Sequence, residues 1–300
     1  MRTLHVETTN RCTLKCPACP RTVWHDMFKK PVEKTDLDYT KLHRFLDCSS
    51  GEAVETIRLC GDYGDTIYYP KMFDFIREFR HKKFFIDTNG SHRNVEWWKE
   101  LNSLLTPEDT ISYAIDGLET DNAKYRVNSD WDSLLNGLEV TSKGPATLLC
   151  QTLIFSYNYN KLDQIREFAE GYGMSWTSMK TMRFGNENLR PPIDHVLVEE
   201  EYKPDYHLNN PIEIVPRCFE STVVASNGLF LPCDWIRNPL TYYKTDLHKD
   251  KERWTNRLDI GTTTLDDALS VLAEWVDHVK SKAMMGTADV LCKMKCRKCQ

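Results

Sequence analysis

From Thr3 to Met182 the chain alternates short apolar runs with stretches whose apolar residues recur at helical spacing, and this alternation restricts the possible fold more than any other feature. The runs expected as strands are Thr3 to Thr8, Glu55 to Cys60, Lys83 to Asp87, Thr110 to Ile115, Ala146 to Phe155 and Ser175 to Met182. Between them, Asp36 to Leu46, Met72 to Phe79, Asn94 to Leu105, Asp130 to Thr141 and Tyr159 to Tyr172 carry the helical pattern, and Asp36 and Asn94 are placed to cap two of them. The charged segment Trp24 to Lys34 is expected to be a mobile loop. Strands joined through helices run parallel, in right-handed βαβ units. The expected class is α/β, with reactive groups gathered at the C-terminal ends of the strands.

Cysteine usage narrows the chemistry. There are 11 cysteines, no apolar signal segment after Met1-Arg-Thr-Leu, and no apolar run long enough for a membrane helix. A reducing cytoplasm is expected, where clustered thiols point to metal rather than to disulfides. Cys12, Cys16 and Cys19 lie within eight residues on the loop leaving the first strand. At those spacings three thiolates can wrap one corner of an iron-sulfur cube and leave its fourth iron without a protein ligand. Three cysteines alone could also hold zinc or be unrelated thiols. A formal charge of -5 and a pI near 6.0 give no electrostatic reason to expect nucleic acid.

The stretch Cys12-Thr-Leu-Lys-Cys16-Pro-Ala-Cys19, directly after a first strand, resembles the radical S-adenosylmethionine (radical SAM) superfamily. The resemblance implies a partial (β/α)6 TIM-like barrel whose open iron binds the amino and carboxylate groups of SAM. An electron from the cluster then splits SAM into methionine and a 5′-deoxyadenosyl radical. Leu59-Cys-Gly61-Asp-Tyr63-Gly64-Asp65 resembles the Gly-Gly-Glu motif that holds the SAM amino group, with Asp65 for the glutamate and Thr66 for the proline that often follows. Thr88-Asn89-Gly-Ser91 looks like the Thr-Asn-Gly turn beside the SAM site. Ala114-Ile-Asp116-Gly117, followed by Arg126, resembles a segment in the branch that modifies peptides and sulfatases, where the arginine pairs with the SAM carboxylate. Ala114 stands at that motif's serine position, which leaves Ser112 as a replacement hydrogen-bonding group; Asp116 either belongs to the site or caps the next turn. Gln151 and Asn158 are polar positions that can face the adenosyl group or solvent, and Ala18 stands where relatives place an aromatic residue against adenine.

Beyond a proline-punctuated linker, residues 185–215, a second cysteine set follows in residues 216–300: Cys218, Cys233, Cys292, Cys296 and Cys299. Ser221 to Leu231 reads as a hairpin turning at Asn227-Gly228, and Thr264 to Lys280 as a helix with Leu265, Ala268, Leu269, Leu272, Trp275 and Val276 along one face. Cys218, Gly228 and Cys233 resemble the opening of the small auxiliary-cluster domain called SPASM or, in its short form, twitch, and Cys296-Arg-Lys-Cys299 its closing pair. The resemblance implies a second [4Fe-4S] cluster on Cys218, Cys233, Cys296 and Cys299, with Cys292 a surplus thiol able to replace one of them. A tetrahedral zinc site is the alternative. Cys48 and Cys150 read as small buried residues, whereas Cys60, ending a strand, is a candidate hydrogen donor. None of the nine histidines forms a metal-spaced pair with another, and His5 reads as a hydrogen-bonded core residue of the first strand.

The implied activity is reductive cleavage of SAM followed by hydrogen abstraction from a small-molecule, nucleotide or peptide substrate. Its implied partner is a flavodoxin- or ferredoxin-type electron donor. The chain begins at its first strand, so no N-terminal leader-binding domain is expected. The competing reading is a non-catalytic iron-sulfur or zinc protein serving electron transfer or binding.

Overall fold

The computed structural model describes residues 1–61, 63–181, 183–184, 189–192, 213–216, 218, 222–237, 242, 244–289, 292–293 and 296. In chain order the first elements are β1 (Thr3–Val6), α1 (Pro20–Phe28), α2 (Tyr39–Leu46), α3 (Ser49–Glu52), β2 (Thr56–Leu59), α4 (Met72–Glu78), β3 (Lys83–Thr88) and α5 (Val95–Leu104). There follow β4 (Thr110–Ala114), α6 (Asn122–Tyr125), α7 (Trp131–Thr141), β5 (Thr147–Leu153), α8 (Leu162–Gly171), β6 (Ser175–Met179), β7 (Val223–Val224), β8 (Phe230–Leu231), α9 (Asp246–Lys249) and α10 (Leu265–Met284). The chain divides into two compact units, one of Glu7–Asp36 with Thr56–Leu197 and one of Met1–Val6, Leu37–Glu55 and Val198–Gln300. It is a mixed α/β protein with predominantly parallel strand pairing. Among the described residues no helix is long and apolar enough to cross a membrane.

In the first unit, strands β2 to β6 pair in parallel and in sequential order, with registers such as Ile57↔Phe84, Ile86↔Ile111, Ser112↔Leu149 and Gln151↔Thr177. Period-two burial explains the pairing: Ile57 and Leu59 on β2 and Phe84, Ile86 and Thr88 on β3 are buried, while the residues between them are less so. The crossover helices start where short polar side chains can accept from the first turn. Asn94 caps α5 through Trp97 N, and Asp130 caps α7 through Ser133 N. Trp98 of α5 is fully buried, and a Cβ on Gly137 of α7 would lie 2.8 Å from its indole, so glycine permits this close helix contact. At the N-terminal end of β4, Asp109 is completely buried and accepts from Arg80 Nη2 at 2.8 Å, Phe84 N at 2.7 Å and Thr106 N at 2.7 Å.

In the other unit, β1 pairs in parallel with β7 (His5↔Val223, Val6↔Val224), and β7 turns antiparallel into β8 through Gly228 at φ +87°. A left-handed turn residue there favours glycine, as the Asn-Gly signal implies. Thr264 caps α10, whose buried face is Leu265, Ala268, Val271, Leu272, Trp275, Val279 and Ala283. That face is rotated from the expected one: Val271 and Val279 take the burial expected of Leu269 and Val276. Asp246 of α9 accepts from His278 Nε2 and Lys282 Nζ, each at 2.9 Å.

Three local expectations change. The segment expected as a mobile loop is helical from Trp24 to Phe28, because Pro20 can open α1 at a position that needs no backbone donor. The cap of α2 is Asp38 rather than Asp36, since the Asp36 carboxylate is taken by Arg11 at 2.7 Å. The first strand stops at Val6, and the hairpin extends it instead of standing alone. His5 is half-buried, and most of the expected linker lies outside the described residues.

Asp109→Ala is expected to cost about 2 to 4 kcal/mol in denaturant unfolding, because it strands the backbone donors of Phe84 and Thr106 and removes one acceptor from the half-exposed Arg80. Burial alone would raise the Asp246 carboxyl, yet hydrogen bonds from Lys282 and His278 bring it below the usual carboxylate range. A depressed carboxylate contributes stability above its unfolded pKa and loses it as pH falls through the folded one. Asp246→Asn is therefore expected to melt lower at neutral pH, with the gap to the parent protein narrowing in acid.

Candidate active site

The candidate site is built from loops that follow strands, beginning with the cysteine loop. Buried Glu7 accepts from Tyr63 N at 2.9 Å and Gly64 N at 3.4 Å, and Asp65 N donates to Arg11 O at 2.8 Å. These bonds fasten the glycine loop after β2 to the segment leading into Cys12. The fit leaves no room for a side chain: a Cβ on Gly64 would lie 2.1 Å from Thr9 O, and one on Gly61 2.0 Å from Gly64 O. Cys19 N donates to Cys16 O at 3.0 Å and α1 starts immediately afterwards. Cys16 belongs to an apolar cluster with Leu14, Tyr125, Leu153, Phe155 and Leu189, against which Cys12 and Cys19 also pack. None of the three is in a disulfide.

Asp65 lies at the centre of the hydrogen bonding. Its carboxylate accepts from Thr88 Oγ1 at 2.9 Å, Asn89 N at 2.7 Å, the Asn89 side-chain amide and Ile67 N at 3.2 Å. The Asn89 amide nitrogen also lies 3.7 Å from Cys12 Sγ. Burial pushes the Asp65 carboxyl up to about 6, against the pull of the backbone hydrogen bonds from Asn89 and Ile67. The expected trio of Asp65, Thr88 and Asn89 is thus brought together, mainly to bond with itself. A carboxylate so engaged positions the glycine loop and the Asn89 turn relative to Cys12.

Arg126 and Asp116 form the second polar pair. Arg126 Nε donates to Asp116 Oδ2 at 2.6 Å, while Asp116 Oδ1 accepts from Leu153 N at 2.7 Å. Asp116 is fully buried and fixes the guanidinium. The guanidinium in turn lies against Cys16: burial raises the Cys16 thiol, and the charge and hydrogen bond of Arg126 oppose that rise. Burial pushes Cys12 up to about 12, with the negative charge of Asp65 acting in the same direction. Protein charges alone leave these thiols protonated; a bound metal would favour the thiolates.

The other expected residues are more peripheral. Ser112 is buried on β4, and Gln151 is half-buried on β5, where its carbonyl accepts from Ile115 N at 3.1 Å. Asn158 is structural, bonding Asp116 O, Leu153 O and Phe155 N at 2.8 Å each. Sequence reasoning missed Glu7 and Tyr157. Glu7 falls in the apolar-looking first run, where only its burial reveals a role. The Tyr157 hydroxyl is buried without a hydrogen-bond partner, and its ring packs against the cluster that contains Cys16. Thiols gathered at one apolar cluster, with an orphaned hydroxyl and a fixed guanidinium beside it, suit an iron-sulfur group and a carboxylate-bearing ligand.

The second cysteine set lies in the other unit. Cys218 and Cys292 are buried, and Cys233 and Cys296 are half-buried. Burial raises the Cys292 thiol, and Asp289, Cys233, Cys296 and Cys218 are close enough to raise it further. The surplus cysteine therefore sits among the expected ligands. Cys299 lies outside the described residues. Among the described residues no three His, Cys, Asp or Glu side chains converge on a single metal ion.

Comparison with solved structures identifies the fold. The chain has the fold of radical SAM enzymes. It superposes on anSMEcpe with bound AdoMet at TM-score 0.59 and 11% identity, covering 100% of this chain and 92% of that one. It superposes on Streptococcus suis SuiB bound to precursor peptide SuiA at TM-score 0.57 and 13% identity, covering 79% of this chain and 60% of the length of SuiB. No protein-family model matches the chain. Its sequence is 30% identical over 267 residues to the tungsten-containing aldehyde ferredoxin oxidoreductase cofactor-modifying protein of Pyrococcus furiosus, covering 82% of this chain and 69% of that protein. The chain belongs to that protein's family.

Gly64→Ala is expected to destabilise the protein by about 2 kcal/mol or more, because its methyl group must displace backbone. Gly171→Ala, at the end of α8 with nothing within 4 Å of the added carbon, is expected to be neutral or stabilising by up to about 1 kcal/mol. Paired thermal melts of the two variants test whether the loop contact is as close as described.

Proposed function

We propose that this protein is a radical SAM enzyme whose Cys12, Cys16 and Cys19 hold the SAM-binding [4Fe-4S] cluster. The observation that carries this reading is the placement of Arg126: locked by Asp116 at 2.6 Å, it lies against the middle cysteine of the motif. With Nε committed to Asp116, the outer nitrogens of the guanidinium fork are suited to the SAM carboxylate. Carbonyl groups of the loop Gly61, Tyr63 and Gly64 are suited to its ammonium, and Asp65, Thr88 and Asn89 keep that loop in register. Ser112 and Gln151 are assigned to the adenosyl side. When bound, the cluster supplies the electron that cleaves SAM into methionine and a 5′-deoxyadenosyl radical. Burial of Cys16 among Leu14, Tyr125, Leu153 and Phe155 keeps water and stray hydrogen donors from that side of the cluster.

The family membership favours a cofactor as substrate, since the Pyrococcus relative is named as a protein that modifies the cofactor of a tungsten-containing oxidoreductase. A peptide is the second reading, favoured by the likeness to SuiB bound to its precursor peptide. We assign Cys218, Cys233, Cys296 and Cys299, with Cys292 beside them, to a second [4Fe-4S] cluster in a twitch-like region. We place the enzyme in the cytoplasm, supplied by a flavodoxin- or ferredoxin-type donor.

Anaerobically reconstituted protein reduced with dithionite is expected to release 5′-deoxyadenosine from SAM, and Cys12→Ala, Cys16→Ala or Cys19→Ala to abolish release. Arg126→Lys is expected to weaken SAM binding about tenfold, since a point charge replaces a bidentate fork. Cys218→Ala with Cys233→Ala is expected to remove about half of the iron and inorganic sulfide while sparing the first cluster. Bound zinc with no sulfide in the C-terminal region would refute the second cluster, and a fully reconstituted protein that releases no 5′-deoxyadenosine would refute the enzyme.

A further inference from the structure

The cysteine loop has an outer side that the proposed chemistry leaves unused. A cleft of about 570 Å³ is bounded there by Cys12 and its neighbours Asn10, Arg11, Thr13 and Lys15, and by α1 through Arg21, Thr22, His25 and Asp26. Pro31, Val32, Lys34 and Tyr68 complete the wall. None of Asp65, Thr88, Asn89 and Arg126 lines this cleft. Its character is cationic: from Arg11 to Lys34 there are six Lys or Arg residues against two acids, in a chain whose net charge is -5. Arg11 is neutralised by Asp36, and Arg21 is turned inward, donating to Cys12 O at 2.9 Å and to Leu14 O. Lys15 and Lys34 are exposed on the cleft wall, and Lys29 and Lys30 are exposed between α1 and Pro31.

Helix α1 adds an apolar component. It starts directly after Cys19 and has no buried residue. Trp24 and Phe28 pack with ring centroids 4.3 Å apart and planes tilted by 43°, and Met27 and Phe28 are 59% and 46% exposed. At helical spacing Trp24 and Phe28 neighbour Arg21 and His25, which bound the cleft, and Met27 lies farther round the helix. A small apolar patch rimmed by flexible lysines is the composition of a protein-docking surface; a small anion needs rigid, converging donors instead.

We propose that α1 and the Lys15 to Lys34 rim form the docking surface for a small acidic one-electron carrier protein. This inference rests on the radical SAM reading. One electron passes from the reduced carrier to the cluster beside Cys12, the carrier is oxidised by one electron, and no bond forms or breaks in that step. Charge complementarity selects the partner, because the cations concentrate on the chain segment that holds the metal. The position also suits transfer, since Cys12 is itself part of the cleft wall while the SAM-holding residues lie elsewhere in the same unit.

The test uses the reconstituted protein with an acidic flavodoxin. Binding is measured calorimetrically at low and high salt, and 5′-deoxyadenosine release is driven either by flavodoxin hydroquinone or by dithionite. The expected result is that Lys30→Glu/Lys34→Glu weakens flavodoxin binding and slows the flavodoxin-driven rate about tenfold or more, with the dithionite-driven rate unchanged. Phe28→Ser, which alters neither charge nor the cysteine loop, is expected to weaken binding as well. Parent affinity is expected to fall steeply with salt. Unaltered flavodoxin affinity in both variants, with dithionite activity intact, would overturn the docking surface alone. So would saturable binding of inorganic phosphate in the cleft without flavodoxin affinity. Absence of dithionite-driven cleavage in the parent protein would remove the enzymatic reading and this proposal with it.

Discussion

The arrangement of the site depends on buried carboxylates at the C-terminal ends of parallel strands. Parallel pairing brings the loops after β2, β3, β4 and β5 to one edge, so polar groups far apart in sequence meet there. A carboxylate buried at that edge must be paired or hydrogen-bonded, because desolvation of an unpaired charge costs several kcal/mol. Asp65 meets this requirement with the Thr88-Asn89 turn, and Asp116 with Arg126 and Leu153 N. The ligand-facing groups are consequently held in place before any ligand arrives, which is the condition for binding energy to be used in orientation.

The thiols show the opposite balance. Burial among apolar side chains raises Cys12 and Cys16, so the pocket in isolation favours uncharged sulfur. A metal cluster inverts that preference by supplying positive charge where the protein supplies little. Arg126 and the Asn89 amide are the polar groups placed against the sulfurs, and both are held by carboxylates. The same division recurs at the C-terminal cysteines, where Cys292 is buried among Cys218, Cys233 and Cys296.

Much of the site is legible in the amino-acid sequence, because loop motifs carry their chemistry in residue type and spacing. The cysteine triplet, the glycine loop, the Thr-Asn-Gly turn and the Asp116 to Arg126 separation are local patterns, and each lies at the end of a strand or just beyond it. Glu7 is not legible in this way, since its role arises from backbone donors of Tyr63 and Gly64, more than fifty positions away. Asp36 departs from its expected task for the same reason: a helix cap is a local inference, whereas its ion pair with Arg11 is a tertiary one. The opening of α1 at Pro20 is masked by the charged residues that follow it, which describe an exposed helix as well as a loop.

The amino-acid sequence by itself determined the α/β alternation, the parallel strands and the identity of the chemically capable side chains. Those properties depend on apolar period and on short motifs, both readable within a few turns or strands. Only the tertiary structure decided that β1 is extended by a hairpin from far along the chain, and that Asp65 bonds to the loop it was expected to accompany. Only it decided that Arg126 is turned toward Cys16. These outcomes depend on which buried groups compete for the same partner, and that competition is resolved only when distant segments are packed together.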